Sequence, residues 1–456
     1  MELFILALFL LSSLAHLSNA WPQPHQQRCS TLSHHPFFLQ NTHSSAKFLK
    51  STYYPAKALN ATNTFNEIPL CEIYGSIPYG SNNTLTFVLW LPDQPHYNDR
   101  FLAVGNGGMA GYIDYVQMLS QFNTGLGVAV ASSDAGHSAL LNNVGMGAPG
   151  VYLPYLHDRD QVQAWIHDAI SLFTPTAKHS NTTETKLTQA ELNLMTNAVL
   201  DVCDEIDGVK DRVIEDPLKC HFDIDTLACK PNQQSTTCLT PSKLASAKAI
   251  YAGPRRSDNG KELYAPFALG SEIEWALQEG PLASAFSIPI LQNLVYDDLS
   301  YDANTFNWAS DVDTLDARAG TLIDENSPNL STYRNCGGKL LVSQGWADPY
   351  NAAELPIRHL QDIQSFFHGD ISDWYRLFMV PGGGHCGAAS YYPQVPATYH
   401  VLEKLVEWVE RGVPPESVLS SGPPDGSNTT RKLCPWPQTA SLVGRDSDDA
   451  ADYVCQ

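Results

Sequence analysis

Two stretches in the C-terminal third of the sequence set an acid and an imidazole where a proton transfer would need them. Asp348 follows the apolar run Lys339-Leu340-Leu341-Val342-Ser343 by way of Gln344-Gly345-Trp346-Ala347. His385 follows Arg376-Leu377-Phe378-Met379-Val380 by way of Pro381-Gly382-Gly383-Gly384. A carboxylate that holds an imidazole in one tautomer and offsets its charge makes it a base able to take the proton of a hydroxyl. Either residue alone would read as an Asp capping a turn or a His packed in a core. The pair, each just beyond a strand, reads as an acid–base couple. In open α/β sheets, catalytic groups gather at the carboxyl ends of strands. Where a serine works on such a sheet, the chain order is Ser, then acid, then His. Asp348 and His385 have the order of the last two, and the glycines before His385 allow a sharp turn.

The elements that must carry these residues are short strands followed by glycine-rich turns. Phe87-Val88-Leu89-Trp90 is one candidate strand, and Phe101-Leu102-Ala103-Val104 is another, leading into Gly105-Asn106-Gly107-Gly108. A third, Gly127-Val128-Ala129-Val130-Ala131, ends in Ser133-Asp134-Ala135-Gly136-His137. Runs apolar on both faces predict central strands of a mostly parallel sheet, hence an α/β fold. Beyond His385, Val401, Leu402, Leu405, Val406 and Val409 recur at helical spacing, and Gly412 with Pro414 stops that helix. In the turn from Gly105 to Gly111, the backbone N–H groups of Gly107 and Gly108 are candidates to face a developing oxyanion; a plain strand connection is the other reading.

Composition narrows the setting. The 456 residues carry a formal charge of -21, which disfavours nucleic acid or an anionic membrane as partner. Met1–Ala20 contains a run from Leu3 to Leu11, too short to span a bilayer, and ends in Ser18-Asn19-Ala20. That is the pattern of a cleaved signal peptide, and nothing later approaches the roughly 20 apolar residues of a membrane span. Ten cysteines fit an oxidising compartment. Asn-x-Ser/Thr triplets at Asn60, Asn82, Asn181, Asn329 and Asn428 fit a glycosylating route. The expectation is a soluble, secreted, extracellular protein.

Five motifs together resemble the fungal tannase and feruloyl esterase family. They are Gly105-Asn106-Gly107-Gly108, Ser133-Asp134-Ala135-Gly136-His137, Cys203-Asp204-Glu205-Ile206-Asp207-Gly208-Val209-Lys210-Asp211, Gly345-Trp346-Ala347-Asp348-Pro349 and Gly384-His385-Cys386-Gly387. The resemblance implies an α/β-hydrolase domain in two parts, residues 21–186 and 335–456, with a disulfide-rich lid inserted at 187–334. It implies a serine esterase acting on small phenolic-acid esters such as those from plant cell walls, with Asp348 as triad acid and His385 as base. It implies a structural Ca²⁺ on Asp204, Asp207 and Asp211 with the carbonyl oxygens of Val209 and Val213. It also implies the pairs Cys29–Cys71, Cys203–Cys220, Cys229–Cys238 and Cys434–Cys455, although spacing alone fixes no connectivity. Trp346 would stack on a phenolic ring or pack in the core.

The resemblance breaks where the family carries its nucleophile, in a Gly-Cys-Ser-x-Gly-Gly segment between a strand and a helix. Here Gln161–Lys178 resembles the helix before that strand, and Leu187–Leu192 resembles chain well beyond it. Only His179-Ser180-Asn181-Thr182-Thr183-Glu184-Thr185-Lys186 lies between, and no Gly-x-Ser-x-Gly occurs anywhere in the sequence. A strand, elbow and helix need roughly 30 residues or more. The central strand of the sheet is therefore expected to be absent. In the family the cysteine after the catalytic His pairs with the one before the Ser, so Cys386 would lack its partner; a bridge to Cys336 is the alternative. An esterase lacking an internal segment and an inactive relative that binds esters without cleaving them both fit.

Overall fold

The computed structural model describes residues 25–32, 47–109, 111–138, 148–168, 187–231, 233, 237–277, 283–320, 322, 324, 326–385 and 387–456. Expectations for Met1–Ala20, for the junction at 179–186 and for Cys386 lie outside them. Compactness divides the chain into two units. The first is Met1–Ser171 with Ile288–Tyr301 and Leu315–Glu325; the second is Leu172–Ser287 with Asp302–Thr314 and Asn326–Gln456. Ile288–Tyr301 and Leu315–Glu325, within the stretch 187–334, group by compactness with the first unit. The first of them is knitted in by amide side chains: Gln292 Oε1 accepts from the Gly150 N–H at 2.7 Å, and Asn293 Oδ1 accepts from the Leu153 N–H at 2.8 Å.

In the first unit, helix α1 (His25–Leu32) precedes strands β1 (Lys47–Tyr54), β2 (Leu70–Tyr79), β3 (Asn83–Pro92), β4 (Arg100–Val104) and β5 (Val128–Ser133). Helix α2 (Tyr115–Phe122) lies between β4 and β5, and α3 (Arg159–Asp168) follows. The strands form one sheet in the order β1-β2-β3-β5-β4. Side chains alternate across it with the period of two that a strand imposes. Val88, Trp90, Val128 and Val130 face Met118, Leu119 and Phe122 of α2. Ile73, Leu89, Ala129 and the Cys29–Cys71 bridge fill the other face.

The expected mostly parallel sheet is corrected here. β1–β2, β2–β3 and β3–β5 pair antiparallel, and only β4–β5 is parallel. The reason is the connection: β2 and β3 are joined across Gly80–Asn82, from the pair Tyr79↔Asn83, and so short a link permits only a hairpin. Among the described residues no strand pairs with the outer edge of β4 at Phe101–Val104.

The second unit holds α4 (Gln189–Cys203), α5 (Pro241–Tyr251), β6 (Leu340–Gly345), α6 (Leu355–Phe367), β7 (Tyr375–Val380) and α7 (Val401–Arg411). Helix α4 starts at a capping box, with Thr188 and Glu191 satisfying each other's backbone N–H groups. Glu191 also accepts from Lys243 of α5 at 3.1 Å, both side chains nearly buried. β6 and β7 run parallel from Leu340↔Tyr375 to Gly345↔Val380. Ile357, Leu360 and Ile363 on one face of α6 pack with Leu377 and Met379 of β7. Phe378 and Val380 point the other way, onto Val418 and Leu433. α7 ends where Gly412 takes the left-handed conformation, as the sequence indicates. The outer edge of β6, like that of β4, has no partner strand among the described residues. No helix among them is long and apolar enough to cross a membrane.

Candidate active site

The parallel pair β6–β7 brings Asp348 and His385 together because both residues leave its carboxyl ends. The two exits run very close to one another. A Cβ on Gly345 would stand 2.2 Å from the Gly383 carbonyl oxygen, so no other residue fits there without moving backbone. Gly382 has φ 63°, the left-handed turn that swings the chain after β7 back across the strand ends. Trp346 N–H donates to the Val380 carbonyl at 3.0 Å and Ala347 N–H to that of Gly383 at 2.9 Å, which stitches the two loops.

His385 Nδ1 lies 3.0 Å from Asp348 Oδ2. The carboxylate is held from every side. Gln344 Nε2 donates to Oδ2 at 2.9 Å, and the N–H groups of Tyr350 and Asn351 donate to Oδ1 at 2.8 and 3.0 Å. Burial raises the Asp348 pKa, but His385 and these backbone donors outweigh it, and the net shift is downward. Asp348 therefore stays ionised, an acceptor only, and the His385 proton belongs on Nδ1, which leaves Nε2 as the basic nitrogen. The Asp348 side chain is 3% exposed and that of His385 30%, so the pair is anchored at the acid and open at the imidazole. The Tyr350 ring stands edge-on to the imidazole at 5.0 Å, and the Asn351 amide lies 3.4 Å from Nδ1. Gln344, Tyr350 and Asn351 escaped the sequence reading. An Asp followed by Pro and two further residues is an Asx-turn signal, and those N–H donors at positions two and three beyond it are its product.

The other expected residues fall as follows. Gly107 and Gly108 lie in the first unit on the turn after β4; Gly108 has φ 60° and its carbonyl accepts from Trp165 Nε1 at 2.8 Å. His137 Nε2 contacts the Met109 carbonyl at 3.3 Å in the same turn, stacked on Tyr155 at 4.2 Å. Trp346 is 3% exposed and belongs to the core cluster around α6, so it packs rather than offering a ring to a ligand. The pairs Cys29–Cys71, Cys203–Cys220, Cys229–Cys238 and Cys434–Cys455 are disulfides, whereas Cys336 is exposed and unbridged.

In the acidic loop after α4, Asp204 Oδ1 gathers the N–H groups of Asp211, Arg212 and Val213 at 3.2, 2.7 and 3.2 Å. Asp207 accepts from the Val209 N–H at 2.9 Å, Asp211 is paired with the buried Arg431, and Val209 and Val213 are buried. Burial, helped by the charge of Asp211, pushes the Asp207 carboxyl up to about 6. Glu215, also buried and near the same charges, is pushed up to about 7. Asp207, Asp211 and Glu215 share this pocket of charge with Arg431, an imbalance that an oxygen-seeking divalent cation would relieve. Among the described residues no three His, Cys, Asp or Glu side chains converge as a ligand set, so main-chain carbonyls would have to complete the shell.

The family model described as "Tannase and feruloyl esterase" matches residues 156–456. Feruloyl esterase C of Talaromyces stipitatus is 26% identical over 447 aligned positions, covering 82% of this chain and 83% of the relative. Among solved structures, an esterase from Aspergillus oryzae superposes with a TM-score of 0.77 at 21% identity, covering 95% of this chain and 100% of the other. Feruloyl esterase B from Aspergillus oryzae superposes with a TM-score of 0.73 at 22% identity, covering 94% and 100%. The fold is thus that of fungal esterases, as the α/β-hydrolase reading expects. With a family match spanning most of its length, the chain belongs to the tannase and feruloyl esterase family.

Proposed function

We propose that this chain is a secreted carboxylic ester hydrolase of tannase and feruloyl esterase type, built for phenolic-acid esters, in a form that lacks the internal segment carrying its serine. The observation that carries the reading is the 3.0 Å contact of His385 Nδ1 with the buried Asp348 carboxylate. In the complete reaction a serine hydroxyl would lose its proton to His385 Nε2 as it attacks the ester carbonyl. Asp348 would keep the imidazole in that tautomer and balance its charge. The same proton would then pass to the leaving alcohol. Part of 187–334 would form a lid over the site.

Two facts support the missing segment. The 447 positions aligned with the Talaromyces stipitatus relative exceed what 82% of a 456-residue chain fills, so within the aligned range as a whole the relative has residues that this chain lacks. Among the described residues β4 and β6 each end a sheet, and each is parallel to its neighbour, as a strand would be beside a further parallel strand. Secretion is supported by the Met1–Ala20 pattern, the four disulfides and the exposure of Asn60, Asn82, Asn329 and Asn428. A structural Ca²⁺ in this loop would have to draw Asp204, Asp207 and Asp211 together with the carbonyls of Val209 and Val213, and by doing so would neutralise the loop and hold it folded.

The test is chemical. The purified chain should not label with a fluorophosphonate probe, and inserting the relative's strand, elbow and helix between Lys178 and Leu187 should create labelling that His385→Ala suppresses. Stoichiometric labelling of the unmodified chain at any serine sinks the reading. Sequencing the transcript across Lys178–Leu187 shows whether coding sequence is skipped; an uninterrupted gene there favours an ester-binding relative that does not cleave.

A further inference from the structure

Apart from Asp348 and His385, the second unit contains a cavity of about 420 Å³, within the range of small-ligand sites. Among its described lining residues the cation is Arg212. Arg212 has φ 62°, unusual for a residue with a side chain, and its N–H donates to the buried Asp204 carboxylate, which fixes where the side chain departs. The guanidinium donates to the Asn197 amide oxygen and stands 4.0 Å from Asp201, with these two charged side chains 50% and 76% exposed. A pair so exposed is screened and weak, which leaves the fork available to a better acceptor.

The remaining walls suit a flat ring. The Tyr391 side chain is 41% exposed although its backbone N–H is tied to the buried Glu274 at 2.6 Å, so an aromatic face is presented on an immobilised backbone. Leu200 and Ile273 supply apolar surface, and Gln394 a neutral amide. Asp211 also lines the cavity, but its carboxylate is engaged by the buried Arg431, which leaves one planar cation, one tethered aromatic and apolar surface, a match for a ligand with one carboxylate and one ring. The formal charge of -21 disfavours multiply charged anions here.

We propose that this cavity binds a monocyclic aromatic carboxylate, with Arg212 holding the carboxylate and Tyr391 covering the ring. Such a ligand is the acid half of the esters inferred above, but the proposal does not depend on hydrolysis, since a free acid needs no nucleophile to bind.

Isothermal titration calorimetry of the full chain with 4-hydroxycinnamate, and with its methyl ester as the uncharged control, tests it. One-to-one binding of the acid is expected, with the methyl ester and Arg212→Gln each weakening it about tenfold or more, and Arg212→Lys less, because a single charge-assisted pair is lost or made monodentate. His385→Ala should leave affinity unchanged. Equal affinity for acid and ester, insensitivity to Arg212→Gln, loss of binding in His385→Ala, or no binding at millimolar concentration each overturns the proposal. If Arg212→Gln fails to fold, Arg212→Lys and Tyr391→Ala must weaken the acid without lowering the thermal midpoint.

Discussion

At the scale of single residues, Asp348 governs behaviour in acid. Its pKa is depressed, so its contribution to stability is complete above the ordinary Asp value of about 3.9 and is lost as pH falls through its lower native value. Thermal midpoints measured downward from pH 5 should therefore fall more steeply for the native chain than for Asp348→Asn. At neutral pH that variant should be less stable by about 2 kcal/mol, since a charged acceptor with several donors is replaced by a poorer one. Equal slopes for both proteins would show that the carboxylate is not held as described. Asp348 and His385 were legible in the sequence because strand, glycine turn and chain order all converge on them. Gln344 was not, because a glutamine inside an apolar strand carries no sign of which neighbour it will serve. Trp346 shows the limit of residue type: next to the site in sequence, it is 3% exposed, and only packing decides which way it points.

Elements were legible where local signals agree. The strands expected at 87–90, 101–104 and 339–343 form, the last running from Leu340 to Gly345, and the helix stops at Gly412 as the residues indicate. Pairing direction was not, because β1 and β2 carry mixed patterns, with Lys50 and Ser51 in one and Glu72 in the other, and direction is set by loop length rather than by strand composition. Glu72 is buried because Trp90 Nε1 donates to it at 3.0 Å, a partner invisible until the hairpin closes. Val409, part of the apolar stripe of α7, is 61% exposed, so helical spacing alone overstates the buried face. Two further expectations belong here. Thr188→Ala removes one half of the capping box and should cost about 1 kcal/mol in denaturant titrations. Replacing Cys29 and Cys71 by Ser releases α1 from β2 across a separation of 42 residues and should cost about 3 to 4 kcal/mol, read as a lowered urea midpoint.

For the molecule as a whole, the acidic loop is where a metal ion would act on stability. If Ca²⁺ sits on Asp204, Asp207 and Asp211, chelation should lower the thermal midpoint, and added Ca²⁺ at about 100 times its dissociation constant should restore about 2.7 kcal/mol. Asp207→Ala should abolish the response; a midpoint indifferent to chelator removes the metal from the account. The bare rims of β4 and β6 have another consequence. Among the described residues each has a row of backbone N–H and C=O groups with no partner strand, on apolar strands with Phe101, Leu102, Leu340 and Leu341 only half covered. Such a row is a template that any extended polypeptide can copy, another molecule of the same protein included. Growth by this route should rise with concentration, be relieved by a lysine placed at Ala103, and make each chain the seed of a polymer.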